Sequence, residues 1–443
     1  VNKVINNEIT DVVKRRVTII DEINKTFTLT KEELHKYQID RVRETLLHVY
    51  KNNEFYRKKL TEANIYRKDI MEMREFSKLP FTYKDEIKNQ YPFGLLSTYH
   101  EDVVRYGEST GTTGEPINSY YTGDDWFANN CIVAILLSNI ISKEDTVAII
   151  VPYGLALVGQ DIDRALELIG AKTIAIGMLS SECTVERSIK ILKDTGTTTL
   201  VCSPSRALYI SEEAMKQGYD LKNDFKIRKI LCVGEGTSSE KAKAIKDTWG
   251  ADAYPLYGMT ETNTLAMSCK YGKLHLVENK INYEIVDPDM KEVLEDGMRG
   301  ELVVSSFGKA MPLIRYLTGD LCTIHSEQCE CGSNFRYLQH HGRITDSIVI
   351  SGNKIQILDL EAVILSISGS KFFTLKIKNN ELIVGLVLSA DECKRVEDDV
   401  KEQLLDNFNV TSSVVAIDGT KIINTIKNQV KPSISNILQN EEE

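Results

Sequence analysis

Between Val147 and Val233 the chain repeats one pattern: a short apolar run, a loop bearing Gly, Pro or Ser, and a helical stretch. Strands are predicted at Val147–Val151, Thr173–Ile176, Thr199–Cys202 and Lys229–Val233, with helices through Ile162 to Ile169 and Glu186 to Lys193. Strands alternating with helices at this spacing build βαβ units, and hence a parallel sheet of the α/β class. Each strand runs into Pro152-Tyr153-Gly154, Gly177, Ser203-Pro204-Ser205 or Gly234-Glu235-Gly236. Ligands of open α/β sheets sit outside the carboxyl ends of the strands, so these loops are the expected wall of a site.

Upstream, Ser109-Thr110-Gly111-Thr112-Thr113-Gly114 alternates hydroxyls with two permissive glycines. Converging backbone N–H groups and hydroxyls make such a stretch a phosphate cradle. A surface loop can have the same composition, but predicted strands at Asp102–Tyr106 and Ile117–Tyr121 make this one a tight strand–loop–strand. It is not a Walker loop, because Gly-Lys-Ser/Thr is missing and no helix opens directly behind it.

The first hundred residues read as mostly helical, with apolar residues at helical spacing in Leu34 to Tyr50. After Gly250 a β-rich segment runs through Tyr257-Gly258-Met259-Thr260-Glu261, Leu302–Ser305 and Thr318-Gly319-Asp320. The remainder is expected to be a small α+β domain, giving a division into 1–342 and 343–443. Over 443 residues the net charge is −10. With no basic field to attract nucleic acid or anionic lipid, a small-molecule partner is favoured. Nine cysteines in a chain where no secretory leader is read point to reduced thiols and a cytoplasmic setting. The apolar runs are too short or too broken to cross a bilayer.

The ordered set Glu108-Ser-Thr-Gly-Thr-Thr-Gly-Glu-Pro116, Gly234-Glu-Gly236, Tyr257-Gly-Met-Thr-Glu261, Thr318-Gly-Asp320 and Gly342-Arg343 resembles the adenylate-forming superfamily, and within it the phenylacetate–CoA ligase family. The likeness extends to Asn53–Leu60, Leu79–Thr82 and Tyr91–Leu96. It implies a large N-terminal adenylate-forming domain with parallel sheets and a small mobile C-terminal domain. The implied reaction joins a carboxylic acid, aromatic or aryl-acetic, to ATP as an acyl-adenylate, and then transfers the acyl group to a thiol. By the same resemblance, Ser109 to Gly114 hold phosphates, Glu261 binds Mg²⁺, and Tyr257, Gly258 and Thr260 flank the nucleotide. Asp320 takes the ribose, Arg343 reaches ribose or phosphate, and Gly234, Glu235 and Gly236 lie against adenine and acyl group. Tyr153, Gly154 and Met259 line the acid pocket, and Gly352 lines the thiol tunnel.

The sequence departs from the family pattern at several points. Glu115 stands where a lysine usually follows the phosphate loop, and Thr345, next to Asp346, takes the hinge position. The adenylation lysine maps to Lys427, with Lys431 as fallback. Cys269, His275, Cys329 and Cys331 are ligand types that a tetrahedral structural zinc takes, and the family carries a similar set. The alternative is a group of reduced, buried cysteines, with Cys322 or His325 as substitutes in the set. The thiol is either CoA or the phosphopantetheine of a carrier protein, and a homodimer is suggested only by family habit. A catalytically silent nucleotide-binding or zinc-stabilised assembly protein is the rival of another class.

Overall fold

The computed structural model describes residues 2–72, 76–109 and 116–428. Thr110, Gly111, Thr112, Thr113, Gly114, Glu115 and Lys431 lie outside the described residues.

Five α-helices among the described residues, from Asn2–Thr26 to Lys84–Asn89, precede the first strand. The strands are β1 (Val103–Glu108), β2 (Asn118–Thr122), β3 (Thr146–Ile149), β4 (Lys172–Ala175), β5 (Thr199–Cys202), β6 (Lys229–Val233), β7 (Asp252–Met259), β8 (Asn263–Ser268), β9 (Leu274–Leu276), β10 (Ile281–Val286), β11 (Val293–Leu294), β12 (Arg299–Ser306), β13 (Tyr316–His325), β14 (Tyr337–Arg343), β15 (Ser347–Ile350), β16 (Asn353–Gln356), β17 (Phe373–Lys378), β18 (Glu381–Leu386) and β19 (Ser412–Ala416). A twelve-stranded sheet in the order β11-β10-β12-β13-β14-β9-β8-β7-β6-β5-β3-β4 forms the body of the described structure.

β4, β3, β5, β6 and β7 are parallel. Every residue of β3 and β5 is buried, as expected of a parallel sheet covered on both faces. The edge strand β4 is half exposed. Its helices bury one stripe each, for example Val185, Ser188, Ile189 and Leu192 of Val185–Asp194, which is the spacing of an amphipathic helix. Thr184, Ser203 and Ser238 cap the helices behind them by accepting from the backbone of Arg187, Arg206 and Lys241. From β3 the chain goes out to β4 and returns to β5 on the other side, so the order reverses between β3 and β5. That reversal opens a crevice at their carboxyl ends, between Pro152-Tyr153-Gly154 and Ser203-Pro204-Ser205.

From β7 onward the pairing turns antiparallel. β8, β9 and β14 separate β7 from β13 in the sheet, yet the Tyr257 hydroxyl lies 2.6 Å from Asp320. The sheet therefore curls until its last parallel strand faces β13. Arg343 closes β14 in register with Asp320.

After β14 the chain makes the β15–β16 hairpin, the helix Ile357–Ser368, the sheet β17-β18-β19 and the helix Ala390–Phe408. These share a core of Ile348, Leu360, Leu375, Val384, Val400 and Leu404, among others. Ser351 and Gly352 join β15 to β16 with φ of +53° and +79°. Two central residues at positive φ are the requirement of a type I′ hairpin turn, which favours glycine at the second. The helix Thr420–Asn428 packs back on Pro204–Lys216, where Phe372, Ile422 and Ile426 join one cluster with Leu208 and Trp249. No helix among the described residues is long and apolar enough to cross a membrane.

Candidate active site

The hairpin between β7 and β8 carries Glu261 in its turn. A Cβ on Gly258 would lie 2.7 Å from the Asn263 carbonyl oxygen, so only glycine fits where the register shifts between Tyr257 and Gly258. Met259 packs with Tyr257 on the core beneath, and Thr260 is half-buried in the turn. Glu261 Oε1 accepts a 2.9 Å hydrogen bond from the Tyr316 hydroxyl of β13, and Tyr316 is 1% exposed. On the other side of the turn, Lys280 Nζ donates to the Thr262 carbonyl at 2.9 Å.

Asp320 is the most heavily engaged carboxylate of the site. Its Oδ2 accepts from the Tyr257 hydroxyl at 2.6 Å, while His340 Nε2 and Arg343 Nε stand 3.8 Å and 3.5 Å from its Oδ1. Burial pushes its pKa up, but the neighbouring His340 and Arg343 and the Tyr257 hydroxyl outweigh this and hold it below the ordinary carboxylate value. The Tyr257 ring leans on His340 with centroids 5.1 Å apart. Arg343, half-exposed, feels Asp320, Asp346 and Glu261 together; against its partial burial they raise its pKa. The site thus presents two carboxylates and one guanidinium, with two tyrosines fixing the carboxylates in place.

The third wall is Gly234-Glu235-Gly236. Gly234 has φ +89° with open space where a Cβ would stand, and a Cβ on Gly236 would meet Leu358 at 3.4 Å. Glu235 Oε2 accepts from Ser205 Oγ at 2.6 Å, whereas its buried Oε1 and the Thr237 hydroxyl have no hydrogen-bond partner among the described residues. Burial holds the Glu235 carboxyl above its usual pKa, against the nearby Lys241 charge. Two orphaned polar atoms beside an open glycine fit a loop that takes a polar ligand. Across the crevice Tyr153 also has a buried hydroxyl without a partner among the described residues, and Gly154 is exposed with open space around it.

Of the other expected residues, Ser109 Oγ accepts from the Ile117 backbone at 2.8 Å and so ties the end of β1 to the start of β2. Lys427 is exposed on the helix Thr420–Asn428, where its charge contributes to lowering the Glu186 pKa. It is therefore not among the contacts that gather Glu261, Asp320 and Arg343 in the described residues. Gly352 is placed in the hairpin turn, tied by Ser351 N to Asn380 Oδ1 at 2.9 Å. Sequence reasoning missed Tyr316 and His340; each stands within three or four residues of a recognised motif, but neither has a distinctive spacing.

A separate cluster joins the β8–β9 turn to the β13–β14 loop. One ligand atom each from Cys269, His275, Cys329 and Cys331 lie within 4.8 Å of one another. Cys269 Sγ and Cys329 Sγ are 3.8 Å apart, and Cys331 Sγ is 3.2 Å from His275 Nε2. The Phe335 carbonyl lies 2.8 Å from His275 Nδ1. This fixes the ring with Nε2 toward the thiols.

The fold is that of the adenylate-forming CoA ligases, and the family model of the AMP-binding enzymes matches residues 109–311. The chain is 30% identical over 348 residues to the phenylacetate-coenzyme A ligase of Thermus thermophilus, and 30% identical over 353 residues to that of Pseudomonas putida. Both matches span 77% of this chain and 77% of the relative. Among solved structures, 2-hydroxyisobutyryl-CoA ligase in the postadenylation state, in complex with R3-HIB-AMP, shares the fold: TM-score 0.81, 18% identity, 92% of this chain and 94% of that one. The chain belongs to the phenylacetate–CoA ligase family.

Proposed function

We propose that the chain activates an aromatic or aryl-acetic acid with ATP and passes the acyl group to CoA. The observation that carries this reading is the convergence of Tyr257, Tyr316, Asp320 and Arg343 from three strands with Glu261 from the β7–β8 turn. In the first step a carboxylate oxygen bonds to the α-phosphorus and pyrophosphate leaves. In the second the CoA thiol bonds to the acyl carbon, AMP leaves and the thiol proton is released. Such transfers are accelerated by alignment and by neutralising developing charge.

Asp320, kept ionised by His340 and Arg343, would accept hydrogen bonds from the ribose hydroxyls. The Tyr257 ring would lie against adenine and Arg343 would face phosphate. Glu261, its carboxylate steadied by Tyr316, would hold Mg²⁺, which takes one or two carboxylates with phosphate oxygens and supplies charge neutralisation. Lys427 would meet the carboxylate–phosphate centre during adenylation. Residues 1–342 and 343–443 would act as the two domains, with Gly352 serving the thiol step. CoA rather than a carrier protein is supported by the names of the relatives. A cytoplasmic setting agrees with the free cysteines, and a homodimer would follow family habit.

The cysteine–histidine cluster fits a structural zinc. Tetrahedral Zn–S bonds of about 2.3 Å set sulfurs about 3.8 Å apart, which is the Cys269–Cys329 separation. The metal would clamp the β8–β9 turn to the β13–β14 loop.

Pyrophosphate release with ATP, Mg²⁺ and CoA over a panel of aryl, aryl-acetic and fatty acids tests the reading. Aromatic or aryl-acetic acids should give the highest rates. Acid-independent release, or none, would remove it.

A further inference from the structure

Arg206 is 1% exposed at the opening of the helix Pro204–Lys216. Its backbone N–H is capped by Ser203 Oγ at 3.3 Å, so its helix position is fixed. Its Nη2 donates to the Ile426 carbonyl at 3.2 Å, and Nη1 lies 3.7 Å from Met178 Sδ. Burial lowers its pKa, against the nearby Cys202 and Glu235, but an arginine stays charged over any working pH. A buried guanidinium that caps a carbonyl in the last turn of a helix also complements the negative end of that helix.

The capped carbonyl belongs to the peptide that joins Ile426 to Lys427. Peptide planarity puts the two Cα atoms about 3.8 Å apart, so holding this oxygen fixes the backbone from which the Lys427 side chain extends. Ile422 and Ile426, one turn apart on the same helix, are 5% and 3% exposed and pack in one cluster with Ala207, Leu208 and Tyr209. The neighbouring residue, Ser205, donates to Glu235 at 2.6 Å. Two consecutive residues at the carboxyl end of β5 therefore hold, respectively, the Gly234-Glu235-Gly236 loop and the helix bearing Lys427.

We propose that Arg206 is a positioning residue for adenylation: it seats the helix Thr420–Asn428 and so sets where Lys427 stands. The proposal rests on the assignment of Lys427 to adenylate formation made above. It assigns Arg206 no part in transfer to the thiol.

The test measures two half-reactions by single turnover on the full chain: adenylate formation from ATP and the acid the wild type turns over fastest, and thioester formation from the corresponding acyl-adenylate and CoA. Arg206→Met should slow the first by about tenfold or more and leave the second within about twofold, the signature of a lost transition-state contact. Arg206→Met/Lys427→Ala should be no slower than Lys427→Ala, because residues acting through one group are not additive. Amide exchange of residues 420–428, measured without ligand, should be faster in Arg206→Met and unchanged across Ala390–Phe408. Ile426→Ala, which loosens the same seat from its apolar side, should reproduce the split if Arg206→Met does not fold. Equal loss of both half-reactions, or wild-type adenylation beside an impaired Lys427→Ala, overturns the proposal. Normal adenylation by Lys427→Ala instead overturns the assignment of the lysine, and the exchange data then still decide whether Arg206 seats the helix.

Discussion

Glu361, behind the β15–β16 hairpin, forms a 2.5 Å ion pair with Lys241 of the helix Ser239–Trp249, and the two side chains are 0% and 5% exposed. Ser238 Oγ donates to the other carboxylate oxygen at 2.9 Å. Burial works against the lysine charge, but Glu361 and Glu235 outweigh it and raise its pKa. Removing one partner of such a pair leaves an uncompensated buried charge, which typically costs about 3–5 kcal/mol, whereas replacing both with apolar groups is often neutral. Lys241→Met should therefore lower the thermal midpoint sharply, and Lys241→Met/Glu361→Leu should recover most of the loss. A double variant no more stable than the single one would show that the pair is not the unit that matters.

Glu261→Gln keeps the volume of the side chain and a carbonyl oxygen for Tyr316 while removing the negative charge. Acid-dependent pyrophosphate release should fall by about 10²-fold or more if the carboxylate neutralises a cation in the transition state, with the thermal midpoint little changed. Near-normal turnover at saturating Mg²⁺ would take Glu261 out of the site.

Zinc bound by Cys269, His275, Cys329 and Cys331 would add its binding free energy to the native state alone. Protein purified without chelator should contain close to one zinc per chain by elemental analysis. Chelation should lower its thermal midpoint, and Cys329→Ser should do the same without chelator. Metal-free protein with an unchanged midpoint after chelation would leave the cluster as four reduced side chains.

His341 lies 3.0 Å from Thr323 Oγ1, and burial, with the Arg299 and His340 charges added, pushes its pKa down to about 4. The unfolded chain binds this proton near pH 6.5, the native one only near 4, so acidification between these values favours unfolding. Asp161 acts in the opposite sense: burial pushes it up to about 6, so its contribution falls as pH rises from about 4 to 6. The informative comparison is therefore between variant and wild type. His341→Gln should lose less thermal stability than wild type between pH 7 and pH 5, and parallel losses would contradict the assignment.

Much of the parallel half was readable from the chain. β5 and β6 begin and end where expected, because strands buried over nearly their whole length are largely apolar runs and their helices begin at Ser, Thr and Pro. Glu261 and Asp320 were legible as motifs. Tyr316, His340 and the Glu361–Lys241 pair were not, because each depends on the curl that brings β7 over β13 or on the packing of Ile357–Ser368 against Ser239–Trp249. Gly352 was marked as important, and its position shows a local need: the second residue of a type I′ turn.

Phe372, Ile422 and Ile426 are buried in the same cluster as Leu208 and Trp249, so the C-terminal segment does not rest on the sheet through polar contacts alone. Returning three such side chains to water opposes separation by at least about 4.5 kcal/mol, at about 1.5–3 kcal/mol each. A separated form would then be populated at about one molecule in two thousand or fewer at rest. Thermal drift alone would seldom lift it from the helix Pro204–Lys216. If the segment swings during turnover, the free energy must come from a ligand that binds the separated form more tightly, and the resting enzyme keeps this helix on Pro204–Lys216 until that ligand arrives.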